Sequence, residues 1–213
     1  MGQITSLITD FGGVLTTSIF ESFKAFCIDH SIEPEVLRVV FAEMIAEGDA
    51  NLLFRLERGE LEHEEFDRLF AEQLSKRSGV EVDHVDLKAR MFFQVRPAPE
   101  IVNAIDSIHK AGFATALLSN SWGPGGYPRD MFDDMFDAVV ISGEVGLRKP
   151  DPEIYLMTAK MIDRDPAECV FIDDIKVNIE GAEAVGMTGL HHREPKETLE
   201  ELTKLFDVSF DQS

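Results

Sequence analysis

Hydrophobic residues fall along the chain in two rhythms. Short, nearly unbroken apolar runs stand at residues 4–9, 113–119, 138–142 and 169–172, with a weaker one at 188–191, each bounded by turn-forming residues. Runs this short suit strands buried on both faces of a parallel sheet. Longer stretches between them place apolar residues every three or four positions, the period of an amphipathic helix. Strand-like and helix-like segments that alternate in this way predict βαβ units and an α/β fold built on a parallel sheet.

Two of the helices are sharply marked. Residues 99–110 carry Ile101, Val102, Ile105 and Ile108 on one face, and Gly112 supplies a stop signal. A second helix is expected after Lys149-Pro150, with Asp151 able to cap it and Pro152 suited to its first turn. Its apolar face, Ile154, Met157, Met161 and Ile162, reads as packing. Between the first strand and the Pro97-Ala98-Pro99 punctuation no strand pattern occurs, whereas residues 22–30, 35–46, 62–76 and 85–93 all show helical spacing. The expected organisation is therefore a core of residues 1–15 and 97–213, interrupted by a helical insertion at 16–96. An insertion directly after the first strand would stand above the carboxyl ends of the strands, where parallel sheets bind ligands. The glycine- and proline-rich residues 123–128 are expected to form a mobile loop.

Composition narrows the partners. Twenty Lys and Arg stand against forty Asp and Glu in 213 residues, a net charge of −20. That field repels nucleic acid and anionic membrane surfaces, and an anionic ligand would need a locally positive or metal-bearing pocket. The hydrophobic share of 44% is that of a folded globular chain. Cys27 and Cys169 lie far apart and outside any metal-ligand spacing, so no disulfide framework is implied. Met1-Gly2-Gln3-Ile4-Thr5-Ser6 formally fits a myristoylation pattern, but the apolar run that follows reads as a buried strand. No signal-peptide pattern and no long apolar stretch is present, so the expected setting is cytoplasmic.

Four chemistry-bearing segments fall at strand ends: Asp10-Phe11-Gly12-Gly13, Ser119-Asn120-Ser121-Trp122, Arg148-Lys149-Pro150-Asp151, and Asp173-Asp174 followed by Asn178-Ile179-Glu180-Gly181. Each alone has an ordinary structural explanation, such as a capped turn for Asp10 or Ser119 and a solvated charge for Lys149. Together, in this order, they resemble the haloacid dehalogenase superfamily of hydrolases over essentially the whole chain. Residues 115–122 and 145–155 are similar to the phosphatase domain of soluble epoxide hydrolase. Leu56-Glu57-Arg58-Gly59-Glu60-Leu61 and the Asp10-Phe11-Gly12 start resemble the phosphatases that act on α-D-glucose 1-phosphate.

The resemblance implies a Rossmann-like parallel sheet with helices on both faces and an inserted α-helical cap of the C1 type. It implies a phosphatase acting on a small phosphate monoester, with Mg²⁺ as cofactor and the chain as monomer or homodimer. Asp10 would be the nucleophile, Ser119 and the Asn120 amide would hold phosphoryl oxygens, and Lys149 would offset negative charge. Asp10, the Gly12 carbonyl and Asp174 would hold the metal. Asp173 would orient Lys149, although the adjacent carboxylates leave that division open. Gly12, Gly13, Asn120 and Arg58 would lie against the substrate.

One position departs from the pattern. Most phosphatases of the superfamily carry a second aspartate two residues after the nucleophile, where Gly12 stands here. General acid help is worth about 10²–10⁴ in rate, so two alternatives stand beside the phosphatase: a 2-haloacid dehalogenase, whose halide leaves without a proton, and a non-catalytic phosphate-binding protein. The paired acids at 173–174 oppose the dehalogenase, because gathering them beside Asp10 calls for a cation. In the insertion, Arg55 and Arg58 suit either an anionic ligand or ion pairs with Glu57 and Glu60. Trp122 and Phe20 fit a pocket wall or interdomain packing equally, and His109, His191 and His192 carry no assigned role.

Overall fold

The computed structural model describes residues 3–123 and 126–210. Five parallel strands form one sheet: β1 (Ser6–Thr9), β2 (Ala114–Ser119), β3 (Ala138–Ile141), β4 (Cys169–Asp173) and β5 (Thr188–His191), in the spatial order β3-β2-β1-β4-β5. The runs read from sequence become these strands with ends moved by one or two residues. β1 lies at the centre, and the chain builds outward first through β2 and β3, then back across through β4 and β5. The order therefore reverses between β1 and β4, the place where a crevice opens at the strand C-termini. Thr9 pairs with both Leu117 and Ile172, which brings the residues after β1, β2 and β4 to the same edge.

Side-chain alternation divides the packing. Leu7, Leu117, Val170 and Ile172 face helices Pro99–Lys110 and Pro195–Phe206 through Ile101, Ile105, Ile108, Leu202 and Phe206. Ile8, Ala116, Leu118, Val140 and Phe171 face helices Pro152–Met161 and Lys176–Ala184 through Ile154, Tyr155, Ala159 and Ile179. The strands read as continuous apolar runs because both of their faces are covered. Gly112, at φ +91°, follows the C-terminus of helix Pro99–Lys110. Asp151 occupies the N-cap position of helix Pro152–Met161, but its side chain makes no capping hydrogen bond, and the helix opens on Pro152 instead.

Between β1 and β2 the chain forms helices Ile19–Asp29, Pro34–Ala46, Leu52–Glu57, His63–Ser78 and Leu87–Met91. They bury an apolar cluster of their own, centred on Phe23, Val40, Met44, Phe70, Leu74 and Leu87. Helix Leu52–Glu57 was not expected from the sequence, because six residues are too few to display a period. The expected helix at 85–93 shortens to Leu87–Met91. The two segments that join this unit to the sheet pair with each other: Thr17 donates from its backbone N to the Arg96 carbonyl at 2.7 Å, and Ala98 donates to the Leu15 carbonyl at 2.9 Å. Of the loop at 123–128, residues 124 and 125 lie outside the described residues, as do residues 1 and 2 of the myristoylation pattern. No helix among the described residues is long and apolar enough to cross a membrane.

Candidate active site

Asp10 is the first residue past β1, held in line by its backbone N donating to the Ile172 carbonyl at 2.8 Å. The turn beyond it is tight. Gly13 sits at φ +83°, where a side chain is strained, and a Cβ there would fall 2.2 Å from Asp174 Oδ2. That glycine lets the carboxylate just past β4 approach the loop that follows Asp10. Gly12 has an ordinary φ, but a Cβ on it would come within 2.3 Å of the Ile19 Cδ1 atom, so the Ile19 side chain occupies the space beside it.

Lys149 is the electrostatic centre. Its side chain is 1% exposed, and Nζ donates to Asp10 Oδ1 at 2.6 Å and to Asp173 Oδ2 at 2.7 Å. Burial by itself would lower the ammonium's pKa, but Asp10 and Asp173 more than offset this and raise it, so Lys149 stays charged. Asn120 fixes the lysine backbone reciprocally: its Oδ1 accepts from Lys149 N at 2.9 Å and its Nδ2 donates to Lys149 O at 3.1 Å.

Asp173 is fully buried and its oxygens are taken up by donors. Oδ1 accepts from Ile175 N at 2.8 Å, Oδ2 accepts from Lys149, and Asn178 Nδ2 reaches both at 3.1 Å. Asp174, by contrast, is half-buried, and no described side chain donates to its carboxylate. The carboxylates of Asp10, Asp173 and Asp174 present oxygens that all lie within 4.8 Å of one another. Burial, with Asp173 and Asp174 adding to it against the pull of Lys149, pushes Asp10 up to about 7. Burial and the neighbouring Asp173 push Asp174 up to about 6. Such a crowd of carboxylates with one lysine is short of positive charge, and a set of oxygens this close together fits a small hard cation such as Mg²⁺.

A model of the haloacid dehalogenase-like hydrolases matches residues 4–186, the stretch that carries every one of these groups. The chain belongs to the haloacid dehalogenase-like hydrolases. The sesquiterpene phosphatase astK of Aspergillus oryzae is 35% identical over 114 residues, 52% of this chain and 58% of that protein. Bifunctional epoxide hydrolase 2 of Rattus norvegicus is 29% identical over 150 residues, 65% of this chain and 27% of that one. These matches span little more than half of the first relative and about a quarter of the second. Among solved structures, a haloacid dehalogenase-family enzyme of Bacteroides thetaiotaomicron, in complex with magnesium and inorganic phosphate, superposes with a TM-score of 0.59 at 21% identity, covering 89% of this chain and 94% of that one, and shares the fold.

In this haloacid dehalogenase-like hydrolase the helical unit meets the loops at the sheet's edge through Phe54, Glu57 and Gly59. Glu57 and Arg148, both nearly buried, form an ion pair of 2.6 Å, and the Arg148 guanidinium lies 3.6 Å over the Phe54 ring. Burial raises the Glu57 carboxyl, while Arg148, Lys149 and a hydrogen bond from Asn120 pull the other way. Gly59, at φ +71°, lies so near the loop after β3 that a Cβ would sit 2.5 Å from the Gly143 carbonyl oxygen. Ser142 Oγ donates to the Glu57 carbonyl and accepts from Ser121 N at 2.7 Å. Trp122, next in the chain, sits among Phe23, Phe41, Phe66 and Phe92 at ring distances of 5.3–5.9 Å, which makes it interlayer packing. Phe20 is 57% exposed and joins no cluster.

The other named residues are placed as follows. Asp10, Gly12, Gly13, Ser119, Asn120, Lys149, Asp173 and Asp174 gather at the strand ends. Arg58 does not reach them: it pairs with Glu60 at 2.7 Å and donates to the Asp49 carbonyl at 2.9 Å. Sequence reasoning passed over Glu57, Arg148, Tyr127 and Asn178. Glu57, Arg148 and Asn178 lie within the motifs named from the sequence, which offers Glu57 to Arg58 rather than to Arg148, whereas Tyr127 lies in the loop at 123–128. His191 bonds the Asp174 carbonyl through Nε2 at 3.0 Å, His192 bonds Thr198 Oγ1 at 2.7 Å, and His109 bonds Thr115 Oγ1 at 2.9 Å, so each is engaged structurally.

Proposed function

We propose that this hydrolase is a magnesium-dependent phosphatase acting on a small phosphate monoester, a sugar phosphate or similar metabolite, through an aspartyl-phosphate intermediate. The observation that carries the reading is the buried Lys149 bridging Asp10 and Asp173, with Asp174 standing unbridged beside them. Asp10 attacks phosphorus through Oδ2, the oxygen not engaged by Lys149. The P–O bond to the substrate oxygen breaks, and water then releases phosphate and regenerates the carboxylate. Ser119 and the Asn120 amide donate to the phosphoryl oxygens, while Lys149 offsets their charge.

Asp10, Asp174 and the Gly12 carbonyl would hold Mg²⁺, which supplies charge neutralisation at the phosphoryl group. Asp173 is better suited to orienting Lys149, since its oxygens already accept four hydrogen bonds. Residues 16–96 act as a cap over a core of residues 1–15 and 97–213. Cytoplasmic placement accords with Cys27 and Cys169, which are free and buried. With glycine at position 12, the leaving oxygen takes its proton from solvent, the substrate or another side chain.

The test is hydrolysis of a panel of small phosphate esters with Mg²⁺, by the native protein and by Asp10→Asn. Turnover is expected from the first and a loss of at least about 10³-fold in the second. Activity that survives the substitution sinks the nucleophile assignment. Halide release from 2-haloacids in chelator favours a dehalogenase, and phosphate binding without turnover favours a binding protein.

A further inference from the structure

Tyr127 stands on the loop after β2 and points back into the cradle. Its hydroxyl lies 3.0 Å from Ser119 Oγ, and its ring packs 5.1 Å from Phe11, the residue next to the nucleophile. Tyr127 belongs to none of the motifs that suggested the phosphatase. Burial pushes the phenol up to about 12, so it keeps its proton at neutral pH.

Proton counting gives the pair a direction. A serine hydroxyl has one proton and two lone pairs. Ser119, 3% exposed at the end of β2, can donate to a phosphoryl oxygen only if it is not donating to Tyr127. When phosphate is bound, the hydrogen bond between the two hydroxyls must run from tyrosine to serine. We propose that Tyr127 is a positioning residue that donates its phenolic hydrogen bond to Ser119 and so aims the serine proton at the phosphoryl group of the substrate. This rests on the phosphatase reading above and adds to it a specific residue outside the four strand-end segments. Tyr127 acts through Ser119 and moves no proton to the leaving group, so its effect is independent of the alcohol released.

The experiment compares native protein with Y127F, S119A and the double variant on p-nitrophenyl phosphate and on an alkyl phosphate, with inorganic phosphate binding followed by calorimetry. Phenylalanine keeps the ring against Phe11, so the thermal midpoint is expected to stay within about 2 °C of native. Loss of one hydrogen bond to the serine should lower kcat/KM about fivefold to tenfold, equally for both esters, and weaken phosphate binding. In the S119A background the same substitution should change neither quantity, because the group it acts through is gone. An unchanged kcat/KM in Y127F, or an equal loss in both backgrounds, overturns the inference. A markedly larger loss on the alkyl ester also overturns it, by making Tyr127 a proton donor. A native protein that neither hydrolyses these esters nor binds phosphate overturns the proposed function and this inference together, whereas normal native activity with an indifferent Y127F overturns the inference alone.

Discussion

Replacing Lys149 with methionine tests the electrostatics of the site without changing its bulk. The ammonium holds Asp10 and Asp173 at 2.6 and 2.7 Å in a buried setting. At an effective dielectric constant of ~20, each such pair is worth roughly 6 kcal/mol before desolvation is charged against it. Removing one partner of a buried ionic cluster leaves the others uncompensated, at a measured cost of about 3–5 kcal/mol. For a chain of this size that corresponds to a fall in thermal midpoint of roughly 6–20 °C.

The fall should be largest at pH 8 in chelator, above the raised pKa values of Asp10 and Asp174. It should shrink near pH 5.5, where protons can replace the lost ammonium. Mg²⁺ should restore more stability to K149M than to the native protein, because it fills a larger charge deficit. Calorimetric or circular-dichroism melts at the two pH values, with and without Mg²⁺, give the answer. A midpoint for K149M within about 2 °C of native at pH 8 in chelator would refute the view of Lys149 as the charge that holds the site together.

Two further outcomes follow from the same geometry. The folded pKa values of Asp10 and Asp174, raised to about 7 and about 6, mean that the metal-free protein holds protons its unfolded chain has released. Its stability should therefore be greatest below the ordinary carboxylate pKa and fall as pH rises through 6 to 7, and saturating Mg²⁺ should flatten that fall; a metal-free midpoint that rises over this range contradicts the assignment. Gly59→Ala places a Cβ against the Gly143 carbonyl at a positive φ, so the helical unit should be pushed off the sheet, with KM rising severalfold more than kcat falls. Equal kinetics in G59A would show that this contact does not set substrate binding.

The sheet and the polar residues at its strand ends were legible because local chemistry writes them. Continuous apolar runs mark strands covered on both faces, and the residues that end them, Asp10, Ser119 and Asp173, were visible as polar residues closing each run. Pairing Thr9 with both Leu117 and Ile172 then brings those ends together, as any parallel sheet in this order must. Helix Leu52–Glu57 left no trace in the sequence, because six residues make too little of a helical period to stand out.

What the tertiary structure decided was the partnership of charges. A run such as Arg55-Leu56-Glu57-Arg58-Gly59-Glu60 offers several equally good neighbours along the chain. Only the placement of the helical unit on the sheet gives Glu57 to Arg148 and Arg58 to Glu60. The same holds for Tyr127, whose hydroxyl finds Ser119 across a loop that reads in sequence as punctuation. Periodicity and turn chemistry act over a few residues, so sequence alone specified the elements and the carboxylate ends of the strands. Ion pairs and hydroxyl pairs act through space, and their partners were set only when those elements packed.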